Sequence, residues 1–255
     1  MAEKPMTLSM LVVQTGSAYS EIVSTSGDYA AWFRDAFCDA RVEMTVVDAL
    51  GDELPMPAAF DAIILTGSSH SVTDSNPRLL AYQEWIRGLA ESEVPTLGVC
   101  FGHQVMAAAF GGCVERHEAG RQFGAVAVTL NDAGKRDFLF QGVGSDSDVH
   151  SCHEDVCTRL PEAATLLASS KRTVNQSFAI GEYLRAVQFH PEVTTTLIQQ
   201  LHDGLVSRGL MNSVDAEIQS SKAQAAGQRI LANFLQFAME EKHASSTKML
   251  DPNPR

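Results

Sequence analysis

The chain has 255 residues, 45% of them hydrophobic and 20% charged, with a formal net charge of -12. Length and composition fit a globular protein of one large or two small domains, and the acidic balance argues against a nucleic-acid partner, whose backbone needs clustered Lys and Arg. No apolar run is long enough to span a bilayer, no signal-peptide core follows Met1-Ala2-Glu3-Lys4-Pro5, and Cys38, Cys100, Cys113, Cys152 and Cys157 do not look like a disulfide framework, so a cytoplasmic location without a membrane partner is expected.

Leu8 to Gln14 reads as a first strand, closed by Thr15-Gly16, and the polar segment Ser17 to Gly27 reads as a loop. Asp28 is placed to cap a helix running through Tyr29, Trp32, Phe33, Phe37 and Cys38. Val42 to Asp48 is a second strand, Asp52 to Pro57 a loop, and Asp61 to Leu65 a third strand that ends in Thr66-Gly67-Ser68-Ser69-His70-Ser71. A helix follows Pro77, with Leu79, Leu80, Tyr82, Trp85, Ile86 and Leu89 on its apolar side. This alternation predicts a mostly parallel central sheet with helices on both faces, and in such sheets chemistry sits at the carboxyl ends of the strands.

The run Pro95 to Val99 ends in Cys100, flanked by Gly98 and Gly102, and a small-residue helix follows. Gly-x-Cys-x-Gly has the spacing of a nucleophile elbow with sulfur in place of a hydroxyl. The glycines allow a sharp, often strained turn and close backbone approach. After Gly111-Gly112, strands at Val114 to Arg116, Phe123 to Leu130, Ala164 to Ser169, Val174 to Ile180 and Arg185 to Phe189 follow without long helices between them. They predict a smaller antiparallel region attached to the same sheet or extending it. Thr194 to Ser207 and Ala216 to Lys242 are helical, the second a cover for the sheet or a dimer contact. The chain is expected to form one domain over residues 1–243, with a core at about 8–205, a helical extension at 213–242 and a disordered tail at 244–255.

A cysteine nucleophile needs a base, and the base an orienting group. Val187-Gln188-Phe189-His190-Pro191-Glu192 offers both. Pro191 biases His190 toward an extended backbone, in which residues two apart share a side, so Glu192 can hold the imidazole tautomer. The density of His150, Cys152, His153 and Cys157 suggests a zinc site, but the spacing fits no usual zinc pair, and no metal or other cofactor is expected.

Gly98 to Gln104 together with Gln188 to Glu192 resembles the class I glutamine amidotransferases, the Cys-His-Glu triad family with a flavodoxin-like fold. Ile64 to Val72 resembles the family's oxyanion loop, and Cys152-His153-Glu154-Asp155 its His-Gly-Asp segment, in the right order; the resemblance runs from about Leu8 to Leu205. It implies that Cys100 attacks a γ-glutamyl amide, His190 moves the proton, Glu192 orients His190, and backbone N–H groups of Phe101 and the Gly67-Ser68 turn hold the oxyanion. It also implies that Gln104, Cys152, His153 and Glu154 contact the glutamyl group. The elbow is most similar to stand-alone, GMP synthase-like members, a group that includes γ-glutamyl peptidase-like proteins. The expected substrate is glutamine or a γ-glutamyl amine, with a separate synthase chain as a possible ammonia acceptor. The alternative is a binding or regulatory protein with a retired site. Two departures stand out: Ser68 lies where the family has glycine, so a glycine-like backbone there would be strained, and Glu154 replaces the glycine between His153 and Asp155.

Overall fold

The computed structural model describes residues 7–38, 40–212 and 218–250. In chain order, β1 (Leu8–Gln14) is followed by α1 (Ser20–Ser26), α2 (Tyr29–Ala36), β2 (Val42–Asp48), β3 (Ala62–Leu65), α3 (Pro77–Ser92), β4 (Thr96–Val99) and α4 (Phe101–Ala109). Then come β5 (Cys113–Arg116), β6 (Gln122–Leu130), α5 (Asp132–Arg136), β7 (Asp146–His153), β8 (Asp155–Arg159), β9 (Ala164–Ser169), β10 (Ser177–Ile180) and β11 (Leu184–Val187). α6 (Thr195–Ser207) and α7 (Ser221–Leu250) follow.

A 9-stranded sheet has the order β2-β1-β3-β4-β11-β10-β9-β6-β7. The half from β2 to β11 is parallel, and the half from β10 to β7 is antiparallel and extends the same sheet. β5 and β8 form a separate antiparallel ribbon. The predicted α/β class therefore stands, with the antiparallel region joined edge to edge.

Alternation along β1 sends Met10 and Val12 to one face of the sheet and Leu11 and Val13 to the other. On the first face they meet Phe33 of α2 and Ile230, Phe234 and Ala238 of α7; on the second, Leu79, Tyr82 and Ile86 of α3 and Val105 of α4. β3, β4 and β11 are buried at every position, as strands covered on both faces must be. α7 thus covers the sheet.

Two expectations are corrected. The segment read as a loop before Asp28 contains α1, a polar helix in which only Ile22 is buried; it lacks an apolar stripe because it lies on the rim against α6. The last helix starts at Ser221 and continues to Leu250, so residues 244–250 are helical, not a disordered tail. Residues 213–217 and 251–255 lie outside the described residues. Among the described residues, no helix is long and apolar enough to cross a membrane.

Candidate active site

The parallel strands end together, and the loops after β1, β3, β4 and β11 converge. Cys100 follows β4 and caps α4 at φ 53° and ψ -98°. Among the described residues only Glu93 and Cys100 are non-glycines with positive φ. Such a conformation costs about 1–3 kcal/mol and persists only where its surroundings impose it. Here they do. Cys100 N donates to Val187 O at 2.9 Å, and Gly102 N to Thr66 O at 3.0 Å. A Cβ at Gly102 would lie 2.2 Å from Leu65 O, and one at Gly98 would lie 2.7 Å from Gly102 O. The two glycines serve close approach; the strained residue is the cysteine itself.

β11 leads into the turn that carries His190. Its N–H donates to His150 O at 2.8 Å, which ties the turn to β7. His190 Nδ1 lies 2.7 Å from Glu192 Oε1. The Glu192 side chain is wholly buried, and its Oε2 has no partner among the described residues. The imidazole and the Cys100 thiol face the same cavity, and Cys100 is one of the groups that act on the His190 charge. Burial alone would lower the His190 pKa; the Glu192 carboxylate, then Cys100, outweigh it and hold the imidazole well above its ordinary value. An imidazole so placed, between carboxylate and thiol, can move a proton to and from sulfur.

Cys100 and His190 open into a cavity of about 400 Å³. Gln188 Nε2 approaches Cys100 Sγ at 3.7 Å, and so does Cys152 O. Gln104 Nε2 donates to Asp155 O at 2.8 Å and to Gln188 Oε1 at 3.2 Å. His153 binds Asp155 O through Nδ1 at 3.0 Å; burial, then the His190 charge, push its pKa down to about 3. Burial raises the Cys152 thiol, against the charge of Arg121. Glu154 accepts from Arg121 at 2.7 Å and also from Arg116. Cys100, His190, Gln104, Cys152, His153, Glu154, Ser68 and Phe101 all line this cavity, and Gly67 packs against His190, while Glu192 stands behind the imidazole.

A sequence model of the family "Glutamine amidotransferase class-I" matches residues 25–203. The chain belongs to the class-I glutamine amidotransferases. It is 28% identical over 188 residues to γ-glutamyl peptidase 3 of Arabidopsis thaliana, a match covering 69% of this chain and 74% of that protein. It is 29% identical over 238 residues to the GMP synthase of Streptomyces avermitilis, covering 89% of this chain but only 42% of the synthase. A solved glutamine amidotransferase from Thermotoga maritima superposes with a TM-score of 0.76 at 21% identity, over 92% of this chain and 100% of that one, and shows the same fold.

In this amidotransferase Ser68 does not bear the conditional strain expected of it. Among the described residues it is not one of the positive-φ positions; its hydroxyl donates to Thr15 O at 2.7 Å and accepts from His70 N at 3.0 Å. Glu154 faces the cavity as a carboxylate shared by two guanidinium groups, not as a free charge. Arg116 and Arg121 were not singled out in the sequence, since nothing there reveals that they converge on Glu154. The His150, Cys152, His153 and Cys157 set is dispersed. His150 Nδ1 pairs with Val193 O at 2.8 Å, and Cys157 lies on another strand with its thiol on Arg159 O at 3.3 Å. One contributor lies outside the matched region: a Cβ on Gly227 of α7 would be 2.4 Å from Pro191 O, so α7 rests directly on the turn between His190 and Glu192. Gln224 Oε1 reinforces this contact by accepting from Thr195 N at 2.8 Å.

Proposed function

We propose that this amidotransferase hydrolyses the γ-amide of glutamine or of a γ-glutamyl amine through a Cys100 thioester, releasing glutamate and ammonia or an amine. The observation that carries this reading is the His190 imidazole held between buried Glu192 and the strained Cys100. In it, His190 takes the Cys100 proton while sulfur adds to the γ-carbonyl carbon. Backbone N–H groups of Phe101 and the Gly67-Ser68 turn stabilise the oxyanion. The C–N bond breaks as His190 returns the proton to nitrogen. Water, deprotonated by His190, then adds to the thioester, and its collapse restores the thiol and gives glutamate. Gln104, Cys152, His153 and Glu154 are proposed to read the glutamyl group, with Arg116 and Arg121 fixing Glu154. Where glutamine is the substrate, a separate synthase chain is the proposed ammonia acceptor. The five cysteines are free thiols, which fits a reducing compartment such as the cytoplasm.

The test is labelling by a diazo-ketone analogue of glutamine, followed by intact-mass measurement. A single adduct on Cys100, absent from Cys100→Ala, is expected. Absence of labelling together with absence of glutamate release from any γ-glutamyl amide would sink the proposal in favour of a retired, binding-only site.

A further inference from the structure

The amine half of the substrate has a place of its own in this cavity. If Cys100 and His190 act as proposed above, on which this inference rests, the leaving nitrogen must come within hydrogen-bond reach of His190. The amine half then lies on the His190 side of Cys100. That side is bounded by Tyr29: a Cβ at Gly67 would lie 2.9 Å from His190 Cε1 and 3.2 Å from Tyr29 Cε1, so the two rings flank a single glycine. Burial, then the Cys100 charge, push the Tyr29 phenol well above its ordinary range, so it stays neutral.

Trp32 follows one turn later on α2, its ring centroid 4.9 Å from that of Tyr29 in an edge-on pair. Its indole N–H is already used, donating to Ser26 O at 2.9 Å and Gly27 O at 3.1 Å. What it offers the cavity is apolar surface, and Leu201 and Leu205 of α6 line the same cavity. The charged groups that line the cavity come from other elements, Asp74 from the loop after β3 and the rest from around β5, β6, β7 and β8. Arg116, Arg121 and Glu154 form one ion-pair cluster, and Asp155 beyond it accepts from Ser71. The cavity thus has a charged wall suited to the zwitterionic head of a glutamyl group, and an aromatic wall beside the imidazole.

The aromatic wall is firmly mounted. The Asp28 carboxylate accepts from Tyr29 N at 2.8 Å, Ala18 N at 2.9 Å and Gln14 Nε2 at 3.0 Å, while Gln14 Oε1 accepts from Ala30 N at 3.1 Å. A preformed apolar wall contributes binding free energy without the cost of ordering it. Glutamine has nothing to place there, since its leaving group is ammonia. A volume of about 400 Å³ falls in the range of pockets that take ligands larger than one amino acid.

We propose that the released amine carries an aryl or branched alkyl group packed on Tyr29 and Trp32, so that γ-glutamyl conjugates of hydrophobic amines are cleaved in preference to glutamine.

The test compares kcat/KM for glutamine, γ-glutamyl methylamide, γ-glutamyl benzylamide and γ-glutamyl phenethylamide, reading released glutamate, with Cys100→Ala as the control. The aryl amides are expected to exceed the methylamide by on the order of 10- to 100-fold. In Trp32→Ala, and in Leu201→Asn as a second variant whose folding is checked by circular dichroism, that ratio should fall toward unity; in Tyr29→Phe it should be kept. Equal rates across the series, or fastest turnover of glutamine, overturn the subsite and leave the hydrolase reading intact. So does an aryl preference that survives in both folded variants. Absence of any Cys100-dependent turnover overturns both.

Discussion

Glu192 holds His190 at 2.7 Å with a side chain that has no exposed surface. Replacing it by Gln keeps the shape and removes the charge that raises the imidazole. We expect Glu192→Gln to lower kcat by about 10²- to 10⁴-fold with the fold retained, measured by glutamate release alongside circular dichroism. The pH dependence carries a sign. His190 in the folded protein has a pKa above the value of about 6.5 for an unfolded chain. The stability this adds is fully present below that value and is lost as pH rises through the folded pKa. The melting temperature of the wild type should therefore exceed that of Glu192→Gln most at the acid side of neutrality, with the gap closing toward alkaline pH. At this scale, spacing made the convergence of Cys100, His190 and Glu192 legible, because the elbow is local and His190 and Glu192 stand only two residues apart. Arg116 and Arg121 were not legible, since their role comes from Glu154, which only the pairing of β5 with β8 and of β6 with β7 brings to them.

Among the elements, the elbow was readable because its glycines have a steric duty within a few residues. α1 and β7 were not readable. α1 has a single buried side chain, and in the buried stretch of β7, Val149-His150-Ser151, one apolar residue is followed by two polar ones, so no run of hydrophobic residues marks it. Trp32 and Tyr29 show the limit of periodicity: their spacing marks an inward helix face without saying that it borders a cavity. α7 matters to the site through Gly227. A methyl group there would collide with Pro191 O and displace the turn that carries His190. Gly227→Ala is expected to lower kcat by about 10- to 100-fold with a smaller change in KM, because a shift of about 1 Å in a proton-transferring group has that effect. A mere loss of stability would reduce the active fraction but leave the pH–rate profile unmoved; displacement of His190 from Glu192 should move its alkaline limb. Steady-state kinetics across pH separate the two.

For the whole molecule, acid is the vulnerable direction. His103, on the buried face of α4, is fully buried, its ring centroid 4.8 Å from that of Phe178 of β10, and burial pushes its pKa down to about 3. His153 behaves alike. As pH falls from about 6.5 toward 3, an unfolded chain takes up protons that these folded histidines refuse, so each withdraws up to about 1.4 kcal/mol per pH unit. His103→Leu should flatten that loss, measured as urea midpoints between pH 7 and pH 4; an unchanged slope would show that His103 is protonated in the folded state. The parallel half of the sheet was legible from its strand–helix alternation. Its continuation into an antiparallel half was legible as one of two arrangements, but the register across β10, β9, β6 and β7 was not, because it depends on partners far apart in sequence. The contact of Gly227 with Pro191 also has a consequence in time. A nascent chain completed only through Ser220 already contains the described strands and Cys100, His190 and Glu192, with the His190 turn tied to β7, but it lacks the Gly227 contact on Pro191. Because synthesis runs from the amino end, the contact of α7 with Pro191 is the last of those around His190 to form.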